Sequence, residues 1–153
     1  MSEYLEFAVT DDKRFQDLQK LFSRLKADKD EENIGDDQIY LALIDENTRK
    51  HFQWSTPEED IVWLKKWYST PIETRWTDPS LDRGWDFGSM IDAFRNGEYS
   101  LLSCEMVSQK TAHLTFYAHS HPYGGTGCMK VLIEAFGFTV LIIDDGSSPP
   151  YAP

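Results

Sequence analysis

Tyr4 to Val9 alternates polar and apolar positions, with Leu5, Phe7 and Val9 on one side, and predicts a strand. Thr10 or Asp11 is placed to cap the segment that follows. There Phe15, Leu18, Leu21, Phe22 and Leu25 make an apolar stripe at helical spacing. DKDEENIGDD, residues 28–37, is charged, contains a glycine and stops that helix. Gln38 to Ile44 is apolar at both parities, which predicts a strand buried on both faces. Across a turn at 45–48, Arg49 to Trp54 alternates again, with Phe52 and Trp54 inward, and completes a predicted hairpin.

The clearest local signal comes next. Thr56-Pro57-Glu58-Glu59 combines a capping threonine, a proline at the first helical position and a glutamate three residues after the cap, so a helix runs through IVWLKKWYS. Residues 70–84 read as an irregular connection with a short strand near Ile72 to Trp76. Asp86 caps a third helix whose apolar face is Phe87, Met90, Ile91 and Phe94, and Gly97 ends it. Strands over 98–107 and 111–118 meet at a tight turn, Gln109-Lys110. YGGTG then opens a fourth helix that closes at Gly137, and Phe138 to Ile143 is a final apolar strand.

The predicted order is β-α-β-β-α-α-β-β-α-β. Hairpins mixed with helices indicate the α+β class: a mainly antiparallel (mixed) sheet with helices packed mostly on one face. Residues 1–146 form one domain in this reading, and SSPPYAP, 147–153, is a flexible C-terminal tail.

Composition supports a folded domain: of 153 residues, 41% are apolar and 14% aromatic, enough core without metal or disulfide staples. The longest apolar runs fall far short of a membrane span, so no membrane association is expected. MSEYLEF has no basic start followed by an apolar run, so no signal peptide is read. With only Cys104 and Cys128 and no disulfide or zinc-knuckle spacing, the cytoplasm is the expected compartment. The formal charge of −11 argues against direct nucleic-acid binding. It is unevenly spread: residues 28–37 alone hold six acids and one base.

Candidate chemistry concentrates between 113 and 137. His113, His119 and His121 share a strand parity. A two-residue hairpin turn puts Cys104 opposite Thr115, on the histidine side. His113 and His121 stand about 26 Å apart along an extended strand, too far to share a metal, so no metal site is expected. Cys128 falls at the start of the fourth helix, after Gly124, Gly125, Thr126 and Gly127. A helix N-terminus and a nearby His119 or His121 are what activates a thiolate, and the glycine loop offers N–H groups for an anion. Against this, Cys128 lies on the apolar arc of its helix with Met129, Leu132, Ile133 and Phe136. The glycine loop followed by Asp144 imitates a dinucleotide fingerprint, but Lys130 stands where a third small residue belongs and no further βα unit follows. The acidic loop fails the calcium-loop pattern, having Asn33 at the sixth position and Ile39 at the twelfth. No cofactor is called for.

All five tryptophans fall between 54 and 85. Trp76 and Trp85, if exposed, line a groove for a partner. A strongly acidic small domain without a catalytic motif points to a non-enzymatic binding or inhibitor protein of the immunity type, acting on a basic protein partner. Asp28, Asp30, Glu31, Glu32, Asp36 and Asp37 are then the acidic contacts, with Trp76 and Trp85. The alternative is a thiol-dependent enzyme built on Cys128 with His119 or His121.

Overall fold

The computed structural model describes residues 2–54 and 56–153. The chain begins with β1, Glu3–Ala8, and the long helix α1, Asp12–Asp30. Asp11 caps α1 by accepting from the Arg14 N–H, and the five apolar residues of the stripe are all buried. Two short helices follow: α2, Asp37–Leu41, and α3, Glu46–Arg49. Then come α4, Pro57–Ser69, α5, Ile72–Arg75, and a 3-10 turn at Pro79–Leu81. The rest is α6, Phe87–Asn96, the hairpin β2, Tyr99–Met106, and β3, Thr111–Ala118, then α7, Gly127–Ala135, and β4, Thr139–Asp144.

The four strands form one antiparallel sheet in the order β2-β3-β1-β4. Leu5, Phe7, Leu101, Leu114 and Phe116 project from one face and are fully buried. Against them pack the apolar sides of α1, α6 and α7, including Leu18, Leu21, Met90, Phe94, Met129 and Leu132. On the opposite face Tyr4, Glu6, His113, Thr115 and Tyr117 are half-buried or exposed. The fold is a single α+β layer pair, as its periodicities predict.

The predicted hairpin over 38–54 does not form; α2 and α3 take its place. Tyr40, Leu41, Ile44, Thr48 and Phe52 are the buried positions, and those spacings of three and four are helical. Asp36 and Asp45 supply the caps, accepting from the N–H groups of Gln38 and Thr48. Trp54, expected inward, is 52% exposed. The strand expected near Ile72 to Trp76 is also helical, as α5. In each case a short segment carried no unambiguous period.

Arg14 locks these pieces together. Its guanidinium donates to Phe136 O at 2.8 Å, to Thr48 Oγ1 at 2.8 Å and to Asp45 Oδ2 at 3.2 Å, joining α1, α3 and the end of α7. The C-terminal segment expected to be a loose tail folds back on the edge of the sheet. The N–H of Ile143 donates to Tyr151 O at 2.8 Å and that of Tyr151 to Ile143 O at 3.0 Å, covering backbone that β4 would otherwise leave unpaired.

Candidate functional site

The candidates between 104 and 128 are not brought together. The N–H groups of Val107 and Ser108 both donate to Thr111 O, so the hairpin loop is longer than two residues. The register moves by one, and Cys104 sits opposite Leu114 rather than Thr115. That places Cys104 on the core face, where burial pushes its thiol up to about 12. His113 stays on the open face, stacked on Tyr4 with ring centroids 4.4 Å apart, its Nε2 3.0 Å from Glu6 Oε1. His119 Nε2 is 2.8 Å from Ser100 Oγ, and His121 packs edge-on against Tyr123.

Cys128 is buried beneath Tyr99, with Sγ 3.3 Å from the phenol oxygen. Burial pushes this thiol up to about 11, away from the thiolate form that a nucleophile needs. Gly124 and Gly125 adopt positive φ, 105° and 81°, in the turn that enters α7. Thr126 makes no side-chain cap. Gly127 is small for packing: a Cβ there would come within 3.0 Å of the Trp85 indole, which lies over this end of α7. Among the described residues no group of three or more His, Cys, Asp or Glu stands close enough to hold a metal ion.

Most acids of the 28–37 segment are engaged by neighbouring groups, although only Asp28 and Asp37 are half-buried. Burial alone would raise the Asp28 carboxyl, but hydrogen bonds from Tyr40 and Arg24 hold it below the usual range. Asp30 pairs with Lys26 at 2.6 Å. Asp36 caps α2, and the Gln38 N–H holds its carboxyl low. Glu31 and Glu32 remain exposed at the tip. Asp37 instead faces α6, where a Cβ at Gly88 would lie 3.2 Å from its Oδ2 and 3.4 Å from Asp86 Oδ1.

The region between Thr56 and Asp86 is organised differently. Leu81 is the one buried residue among those described there. The Thr56 cap forms as predicted, its Oγ1 accepting from the Glu59 N–H at 3.2 Å. Trp63 and Trp67, one turn apart on α4, stack with centroids 5.2 Å apart, and Trp76 meets Trp67 edge-on at 4.9 Å. Two cations close the stack: Arg83 lies 4.8 Å over Trp63, and Arg75 lies 5.2 Å over Trp67. Trp63 Nε1 donates to Leu81 O at 3.0 Å.

This stack uses only half of the apolar side of α4. At 100° per residue, Trp63 and Trp67 point to the 3-10 turn, while Leu64, Tyr68 and Ile61 continue the arc outward. Those three are 44%, 73% and 55% exposed, and no residue of α4 is buried. Val62, Ile72 and Trp76 are exposed as well. The sequence marked Trp76 and Trp85 as groove residues but not this ridge; helical spacing at 61, 64 and 68 was the available signal.

Comparison with family models, with curated proteins and with solved structures found no match to this chain.

Proposed function

We propose that the chain is a small acidic binding or inhibitor protein that acts through protein–protein contacts, and that its docking surface is the outer ridge of α4 with the adjoining α5. One observation carries this reading. α4 is a 13-residue amphipathic helix whose apolar arc is only half covered, with Ile61, Leu64 and Tyr68 facing outward. Contiguous exposed apolar surface of this kind, rimmed by charge, is the usual mark of an interaction site.

The rim is acidic at the helix start, where Glu58 and Glu59 are exposed. With a chain charge of −11, that favours a basic protein partner and disfavours nucleic acid. A cytoplasmic site of action goes with this reading. It is supported by two cysteines that are both free and buried, and by the fact that no helix among the described residues is long and apolar enough to cross a membrane.

The test compares the immobilised chain with an Ile61→Glu/Leu64→Glu/Tyr68→Glu variant of unchanged circular dichroism. Proteins retained by the first at low salt should be lost by the second and released as salt rises. Equal retention by both, or retention indifferent to salt, would remove the reading.

A further inference from the structure

The ridge of α4 runs into a cleft of about 570 Å³, and Leu64 belongs to both. Trp54, Asp37, Asp60, Arg83, Asp86 and Gly88 are among the residues that line it. Trp54 presents a half-exposed indole whose own N–H is already satisfied by Arg49 O at 2.7 Å. Asp60 pairs with Arg83. Asp86 accepts from the N–H and the hydroxyl of Ser89, neither of which carries charge. Asp37 has Asp36 as its neighbour, and their hydrogen bond, then burial, then the Asp36 charge raise the Asp37 carboxyl above its ordinary range. Two carboxylates therefore converge over Gly88 without a cation of their own among the described ion pairs.

We infer that the cleft receives an arginine or lysine side chain of a basic amphipathic protein segment, seated between Asp37 and Asp86 against the Trp54 indole, while apolar residues of the same segment cover Leu64, Tyr68 and Ile61. This deepens the docking reading above and rests on it. The argument is charge complementarity joined to apolar continuity. A cation placed over Gly88 meets Asp37 and Asp86 together, an indole face attracts a guanidinium, and the stem of a long cationic side chain covers apolar surface on its way to the ridge. Free metal ions are a poorer match, since no three ligating side chains converge there among the described residues.

The experiment is a heteronuclear NMR titration of the full chain with two synthetic 14-residue helical peptides. One carries a leucine stripe flanked by arginines, and the other has glutamates in place of the arginines. The arginine peptide should shift the Trp54 indole and Gly88 amide signals together with those of α4, and the glutamate peptide should not bind. Asp37→Asn should weaken the arginine peptide by about three- to tenfold. Gly88→Ala keeps every charge, adds a methyl between the two carboxylates and improves helix propensity, so it separates loss of the seat from loss of folding. It should weaken binding by a similar factor.

If the glutamate peptide binds equally well, if neither peptide binds, or if both substitutions leave affinity unchanged, the cationic seat is wrong. The ridge reading would survive if the Ile61→Glu/Leu64→Glu/Tyr68→Glu variant still loses its retained partners. If that variant keeps them while the Trp54 and Gly88 responses persist, the ridge reading fails instead.

Discussion

The sheet–helix body and the tryptophan region are both rich in aromatic residues, and they use them in opposite ways. In the body, Phe7, Phe87, Phe94 and Phe116 are all but inaccessible to solvent and interlock with aliphatic neighbours. Between Thr56 and Asp86 the tryptophans stack on one another and on arginines, and much of their surface stays exposed. The body therefore derives its stability from removing apolar area from water. The tryptophan region is held by ring and cation contacts worth about 1 kcal/mol each. Its outward apolar arc adds nothing to the stability of the isolated chain, which is why it reads as a surface for something else.

The largest expected effect lies in the body. Phe116 is fully buried and meets both Tyr99 and Tyr123 at ring distances of 5.7 and 5.5 Å. Phe116→Ala should cost about 3–5 kcal/mol in urea unfolding. A loss below about 1 kcal/mol would mean that the body is no better packed than the tryptophan region.

A smaller effect comes through pH. Burial holds the folded Cys128 thiol at about 11, against an ordinary 9.0. As pH rises the unfolded chain gives up that proton first, so stability is intact below pH 9 and falls between 9 and about 11. The contribution is about 2–3 kcal/mol at the upper end. Cys128→Ala should make that part of the pH–stability curve shallower, leaving the fall that the buried Cys104 thiol contributes. Alkylation of Cys128 at neutral pH should be slow and should track unfolding; fast alkylation of the folded chain would restore the thiol-enzyme alternative.

The smallest effect on stability belongs to the tryptophan region. Trp76 is 82% exposed and touches Trp67 edge-on. Trp76→Ala should cost under about 1 kcal/mol of global stability, and amides of α4 should exchange with solvent well before those of β1 and β3. Equal protection in both regions would erase the distinction between them.

Several elements were legible in sequence because their information is local. Asp11, Thr56 and Asp86 announce three helix starts, and the apolar stripes of α1 and α6 predict which side chains are buried, down to Leu25 and Phe94. A cap and a stripe are interactions within one or two turns, so they survive without knowledge of the rest of the chain. The run at 38–44 was not legible. Its residues suit either period, and the helix that forms there is tied to groups outside the run: Asp36 caps it, and Tyr40 donates to Asp28 on α1.

The site divides along the same line. The helical character of α4 follows from sequence, whereas the exposure of Trp76 comes from the structure. The fate of the acids does not, because whether Asp28 meets a partner or its own Tyr40 depends on how α2 folds back against α1. The sequence by itself determined the α+β class, the main helices, the β2–β3 hairpin and a net charge of −11. Only the tertiary structure decided that Cys104 faces the core, that most of the acidic loop is engaged by its own neighbours, and that half of the apolar arc of α4 is left uncovered. Burial and pairing are set by residues far apart in the chain, and the period of a short segment carries no record of what will be packed against it.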